Sequence, residues 1–298
     1  SQTPEQKSAV NYWFRHVWEY WWPLYPGIIL ASSLFGISSW KLFTIHFPLT
    51  VISAGAGYFF ILRPSFKRDA PSECAAIGGK RGSLLNTLAE SVSIVIVISV
   101  IFISGPILAA LEVKGISAKY WPVIIGMTLG MVWLIVKQKM KAGQIAKCVL
   151  TKSQLTMVLM AAGVMMFRDI LQDVNAFELA QNDLQTYHVP PIIVIAALPF
   201  ISGFILGLAV GFVGASFPLV ISLLPASVVH TDVRFAYLTL AYSCAYVGMI
   251  LSPVHLCLIM TKDYFKADLG GIYKKLLLPC LIVLTGGIAL FFLYLKIL

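Results

Sequence analysis

The sequence predicts an all-α polytopic membrane protein with about seven transmembrane helices, one re-entrant hairpin and one broken helix. Three observations predict it. Of 298 residues, 59% are hydrophobic and 12% charged, about half the charged share of a soluble domain, and the mean hydropathy is +0.86. Residues 20–40, 42–62, 91–111, 120–136, 184–231, 235–261 and 276–295 contain no Asp, Glu, Lys or Arg, and a bilayer core about 30 Å thick takes roughly 20 apolar residues per helical crossing. The basic residues gather in two places, Arg63, Lys67, Arg68, Lys80 and Arg81, then Lys137, Lys139, Lys141, Lys147 and Lys152. That is how cytoplasmic loops are marked. The net charge of +9 therefore reads as topology rather than nucleic-acid binding, and the partner it implies is a lipid bilayer.

Taken in order, residues 1–21 read as an interfacial segment. The stretch NYWFRHVWEYWWPLYP, residues 11–26, carries Trp13, Trp18, Trp21 and Trp22, and such rings favour the headgroup level. Two spans follow within 22–62, at about 22–40 and 43–62, then a basic cytoplasmic linker over 63–90. Spans at 91–111 and 120–136 lead to the second basic loop and a helix from about 154. Beyond it, Arg168, Asp169, Asp173 and Glu178 read as a salt-bridged turn at the membrane surface. Between Pro190 and Pro225 the chain is uncharged but too short for two full crossings and a turn. With Gly203, Gly207, Gly211 and Gly214 along it, 190–225 reads as a re-entrant hairpin whose tip lies near Gly211 to Phe217. The final span is 277–295.

Two dipeptide-scale signals stand inside apolar runs. Serine caps the free N–H groups of a helix start and proline fits its first turn. Ser252-Pro253 therefore predicts a break in the 235–261 helix, and Ser216-Phe217-Pro218 predicts the start of the returning hairpin arm. Helix N-termini attract anions, and broken helices at the membrane midplane are how secondary transporters hold substrate and coupling ions. The expected substrate-binding residues are Gly211, Gly214, Ala215, Ser216, Ser252, Pro253 and His255. His255, expected neutral in an empty site, is the candidate for proton coupling. His46 reads as a packing residue. His255 with Cys257 suggests a metal, but no further ligand stands at recognisable spacing, so no metal is expected. The five cysteines form no CxxC pair and read as small buried hydrophobes. No HExxH, GxSxG or paired intramembrane carboxylate occurs, so no enzyme is expected.

The stretches FRDILQDVNAFELAQNDLQ, PFISGFILGLAVGFVGASFP and GMILSPVHLCLIMTKDYFKAD, with the aromatic NYWFRHVWEYWWPLYP, resemble an uncharacterised family of prokaryotic integral membrane proteins. The resemblance covers about residues 9 to 275. That family is grouped with the ion-transporter superfamily, alongside gluconate, lactate, citrate and divalent-anion transporters. The resemblance implies a multi-pass protein of the cytoplasmic membrane with two inverted repeats, each holding a hairpin and a broken helix around an anionic substrate. Residues 91–298 resemble the second repeat. GASFP stands where divalent-anion carriers place a Ser-Asn-Thr motif, which is absent here; the implied coupling ion is H+ or Na+. Only two spans precede residue 63, so this chain is expected to be the C-terminal part of a longer transporter, its first repeat lying in the same protein or in a second chain. A homodimer also fits. The expected function is secondary active transport of a small anion, an organic carboxylate in the first place, coupled to protons. The alternative is a non-transporting membrane scaffold subunit.

Overall fold

The computed structural model describes residues 2–22, 25–66, 95–100, 116–139, 189–225 and 227–298, with single positions between these stretches. All regular structure among the described residues is helical. The chain divides into two compact units, one of residues 1–70 with 157–298 and one of residues 71–156. Two helical stretches, Trp40–Leu62 and Leu269–Ile297, are long and apolar enough to cross a membrane by length and composition. The expected span 91–111 and the helix from 154 lie largely outside the described residues, as do Arg168, Asp169, Glu178, Cys74 and Cys148. Most of both basic loops lies outside them too.

In the smaller unit, α5 (Ile116–Gln138) is a 23-residue helix. Trp121, Met127, Val132 and Val136 on it are exposed. A Cβ at Gly126 would stand 3.1 Å from the Val97 carbonyl oxygen, so the helix is approached closely there.

The larger unit begins with α1 (Pro4–His16), which starts in the manner its sequence dictates. Thr3 accepts the Gln6 N–H and Pro4 occupies the first turn. α2 (Pro26–Leu34) is only nine residues long, about 14 Å of helix. The expected span at 22–40 is thus a half-length helix. It ends because Gly36 takes a left-handed conformation, φ +61°, and the Ser32 hydroxyl donates to the Ile37 carbonyl across the turn. α3 (Ser39–Ala56) runs into a π-helical stretch at Gly57–Leu62 and a short α4 (Arg63–Phe66).

Next come α6 (Pro191–Leu206) and α7 (Ala209–Ser222), about 24 and 21 Å long and each short of a full crossing. The turn between them is at Gly207, φ +60°, and Leu208, which is extended. It therefore comes four residues before the expected tip at Gly211. Ser216-Phe217-Pro218 does not begin the returning arm; it lies inside α7. The Ser216 hydroxyl donates to the Phe212 carbonyl at 2.6 Å, the bond by which serine relaxes a bent helix near a proline.

α8 (Arg234–Ile250) is the centre of this unit, with every residue from Leu238 to Ile250 buried. A helix that is apolar on all sides needs such surroundings. It packs against α3, α6, α7 and α10 (Leu269–Ile297), while α1 packs against α9 (Leu256–Phe265) and α10. Glycines set the closest approach. A Cβ on Gly203 would strike the Ala245 carbonyl, and one on Gly248 would strike the Phe200 carbonyl. Close backbone approach through small residues is how helices pack in the absence of a water-driven effect.

Candidate functional site

The chain leaves helical geometry after Ile250 and resumes it at Leu256. Ser252-Pro253 sits inside this interruption, but neither residue starts the second helix. His255 does so, with extended backbone (φ −63°, ψ 113°), and its side chain makes no capping bond. Its carbonyl accepts the N–H groups of Leu258 and Ile259. Pro253 is exposed, and Ser252 is fully buried. The interruption leaves the end of α8 with carbonyls that lack an intrahelical donor. The Tyr12 hydroxyl donates to that of Ile250 at 3.0 Å.

Two other parts of the chain close on this interruption. The first is the hairpin turn: a Cβ on Gly207 would lie 2.9 Å from Ser252 Oγ and 3.0 Å from the backbone N and Cα of His255. Only glycine satisfies both the left-handed φ and this contact. The second is the C-terminal end of α1. His16 Nε2 stands 3.1 Å from His255 Nε2, and the rings of Tyr12, His16 and His255 meet edge to face with centroids 4.8–5.4 Å apart. Cys257 brings its Sγ within 4.8 Å of the ligand atoms of both histidines.

The hydrogen bonds fix where the protons of this pair reside. His16 Nδ1 lies 2.6 Å from the Tyr12 carbonyl; a carbonyl only accepts, so Nδ1 carries a hydrogen. In a neutral ring Nε2 of His16 is then bare, and the bond between the two rings needs the hydrogen on His255 Nε2. His255 Nδ1 is left buried without a hydrogen-bond partner.

Other buried polar groups lie in the same unit. Glu19 is 8% exposed and its Oε2 is unpartnered. Its backbone carbonyl accepts from the Tyr242 hydroxyl at 2.8 Å. His46, in unbroken α3, is bonded through Nδ1 to the Tyr20 carbonyl at 2.8 Å, and its buried Nε2 has no hydrogen-bond partner. The Tyr20 and Tyr246 rings meet at a tilt of 36° with centroids 4.3 Å apart.

Of the residues expected at the site, the structure brings together Ser252, Pro253 and His255. It does not bring Gly211, Gly214, Ala215 and Ser216 to them. These lie in α7, whose Phe212 and Phe217 rings contact Tyr242, about 12 Å along α8 from its end at Ile250. Gly207 takes their place at the interruption. Sequence reasoning missed His16 and Tyr12, which lie in the segment expected at the membrane surface. Tyr12, Trp13 and Tyr20 are fully buried instead. Trp13 donates to the Ser53 carbonyl and Trp21 to the Thr50 hydroxyl, so their polar tips are met by protein. The signal was present: Tyr12 and His16 are one helical turn apart, hence on one face, with Arg15 and Glu19 beside them in an aromatic run.

The family described as "Protein of unknown function (DUF401)" matches residues 1–295. The chain belongs to that family. No curated protein and no solved structure matches it.

Proposed function

We propose that this member of the family is a secondary active transporter of a small anion, organic carboxylates being the class to which its resemblance points, driven by a proton gradient. One observation carries the reading. The turn of a hairpin too short to cross a membrane abuts, at Gly207, the interruption of a second helix at Ser252–His255. Irregular backbone of this kind in an apolar helical protein is tolerated where it lines a cavity or is satisfied by neighbouring protein, and transporters place substrate at such junctions. The hydrogen shared by His16 and His255 marks where a coupling proton would reside. The test is uptake by the full-length protein in liposomes, with mono-, di- and tricarboxylates and inorganic anions under an imposed proton gradient. The expected result is accumulation of at least one anion that stops when the gradient is collapsed. A folded protein that accumulates none of them, under a proton or a sodium gradient, overturns the reading and leaves a scaffold role.

A further inference from the structure

The junction holds three groups that bind soft and borderline metal ions, and they come from two distant parts of the chain. His255 and Cys257 are two residues apart, a spacing that points side chains apart on a regular helix. They converge only because His255 is extended and precedes α9. His16 arrives from the end of α1, 239 residues away. We propose that His16, His255 and Cys257 bind a single transition-metal ion, zinc(II) in the first place, which pins α1 to the interruption between α8 and α9.

Three features of the site support this. The separation of the two Nε2 atoms, 3.1 Å, is close to the roughly 3.3 Å between nitrogens bound tetrahedrally at about 2.0–2.1 Å from zinc. Cys257 Sγ lies within 4.8 Å of a ring nitrogen of each histidine, and an inward movement of the thiol completes three bonds with a zinc–sulfur length of about 2.3 Å.

The second feature is the arrangement of hydrogens. With no ion, His255 keeps its hydrogen on Nε2, and its buried Nδ1 faces no donor. An ion between the two rings takes both Nε2 lone pairs. The hydrogen of His255 then moves to the otherwise unpartnered Nδ1. His16 already donates through Nδ1 to the Tyr12 carbonyl. His16 is thus already backed by a carbonyl, the usual support of a metal-bound histidine. Binding releases one proton, from the Cys257 thiol, because the hydrogen of His255 changes nitrogen without leaving the ring.

The third feature is ligand chemistry. Two imidazoles and a thiolate suit zinc and disfavour magnesium and calcium, which take oxygen ligands. Three protein ligands leave a fourth position for water. The inference shares His16 and His255 with the transport reading but does not rest on it, since metal binding is measured on the purified protein whether or not it transports.

The test uses the purified full chain, stripped of metal with a chelator and titrated with cobalt(II), then with zinc(II). One equivalent of cobalt should bind, with the visible bands of a four-coordinate ion and a near-ultraviolet thiolate band, and zinc should displace it. Cys257→Ser should abolish the thiolate band, and His16→Gln should weaken binding by at least about tenfold. Cys244→Ser and Cys280→Ser should leave the spectrum unchanged. A second measurement needs no variant: zinc should protect Cys257 from alkylation, read by peptide mass spectrometry. The proposal is overturned if the chain takes up no stoichiometric ion, if the thiolate band persists in Cys257→Ser, or if Cys257 is alkylated equally with and without zinc.

Discussion

The contact between α6 and α8 and the contact between α1 and α9 are both close, and they are built from opposite materials. Where α6 meets α8, Gly203 and Gly248 bring backbone onto backbone, and no side chain stands between them. Where α1 meets α9, histidines, a tyrosine and a cysteine do the touching, and His255 Nδ1 and Ser252 Oγ are left without partners. A backbone contact has one solution, since nothing in it can rotate or change protonation. The polar contact has several, because hydrogens, ions and rotamers can all be exchanged there. Unsatisfied buried polar atoms are uncommon in folded proteins and call for an explanation. Two of them, on Ser252 and His255, lie on the polar side of the comparison.

The largest effect should come from breaking the backbone contact. In Gly248→Ala the added Cβ meets the Phe200 carbonyl and lies 3.0 Å from the Phe204 nitrogen. Neither atom can turn aside, so the helices must separate. Overpacking of this kind costs about 1–3 kcal/mol, and the midpoint of thermal unfolding in detergent should fall accordingly. Gly55 is the control: a Cβ there meets nothing within 4 Å, and Gly55→Ala should be neutral or slightly stabilising. Equal losses from both variants would show that the close approach of α6 and α8 contributes nothing.

A smaller effect should follow from loosening the polar contact. Tyr12→Phe keeps the ring against His16 and His255 but removes the hydroxyl that donates to the Ile250 carbonyl. Loss of one such bond costs about 0.5–1.5 kcal/mol. The variant should also bind zinc more weakly, because the end of α8 would no longer hold α1 in place. If Tyr12→Phe unfolds and binds metal as wild type does, the tyrosine is packing alone and the two contacts are less different than their materials suggest.

This contrast also separates what was legible in the sequence from what was not. The all-helical architecture could be read, because charge-free runs and the glycines of 203–248 follow from local rules of length and packing. The half-length of α2 was hidden by those same rules. The run 20–40 has the composition of a crossing, while Pro23, Pro26 and Gly36 punctuate it, and composition outweighed punctuation. The turn at Gly207 was missed because four glycines in succession offered equivalent bends, and the choice depends on Ser252 and His255, some fifty residues away. The depth of α1 could not be read at all. Trp13 and Tyr12 need one apolar side and one polar partner, and a membrane surface provides both. The protein provides them instead, through the Ser53 and Ile250 carbonyls, and the second of these is freed only by a break in another helix.

The smallest effect lies at the opposite end of α1, where the contact is polar but open to water. The Glu5 carboxylate, in the first turn, accepts the Asp268 N–H at 3.3 Å. Its pKa is lowered from the ordinary 4.5, first by its own backbone N–H, then by the Thr3 hydroxyl and the Asp268 N–H. A carboxyl depressed in the folded state stabilises the fold above its unfolded pKa, and that stabilisation disappears as the pH falls through its folded pKa. Wild type should therefore unfold at a higher temperature than Glu5→Gln at neutral pH. The gap should start to close once the pH falls below about 4.5 and vanish in stronger acid, where Glu5 is uncharged in both states. Lys275 adds a minor attraction of the same sign, so added salt should narrow the gap at neutral pH. Thermal unfolding of both proteins across this range decides it. A gap that stays constant with pH would assign the contact to geometry alone.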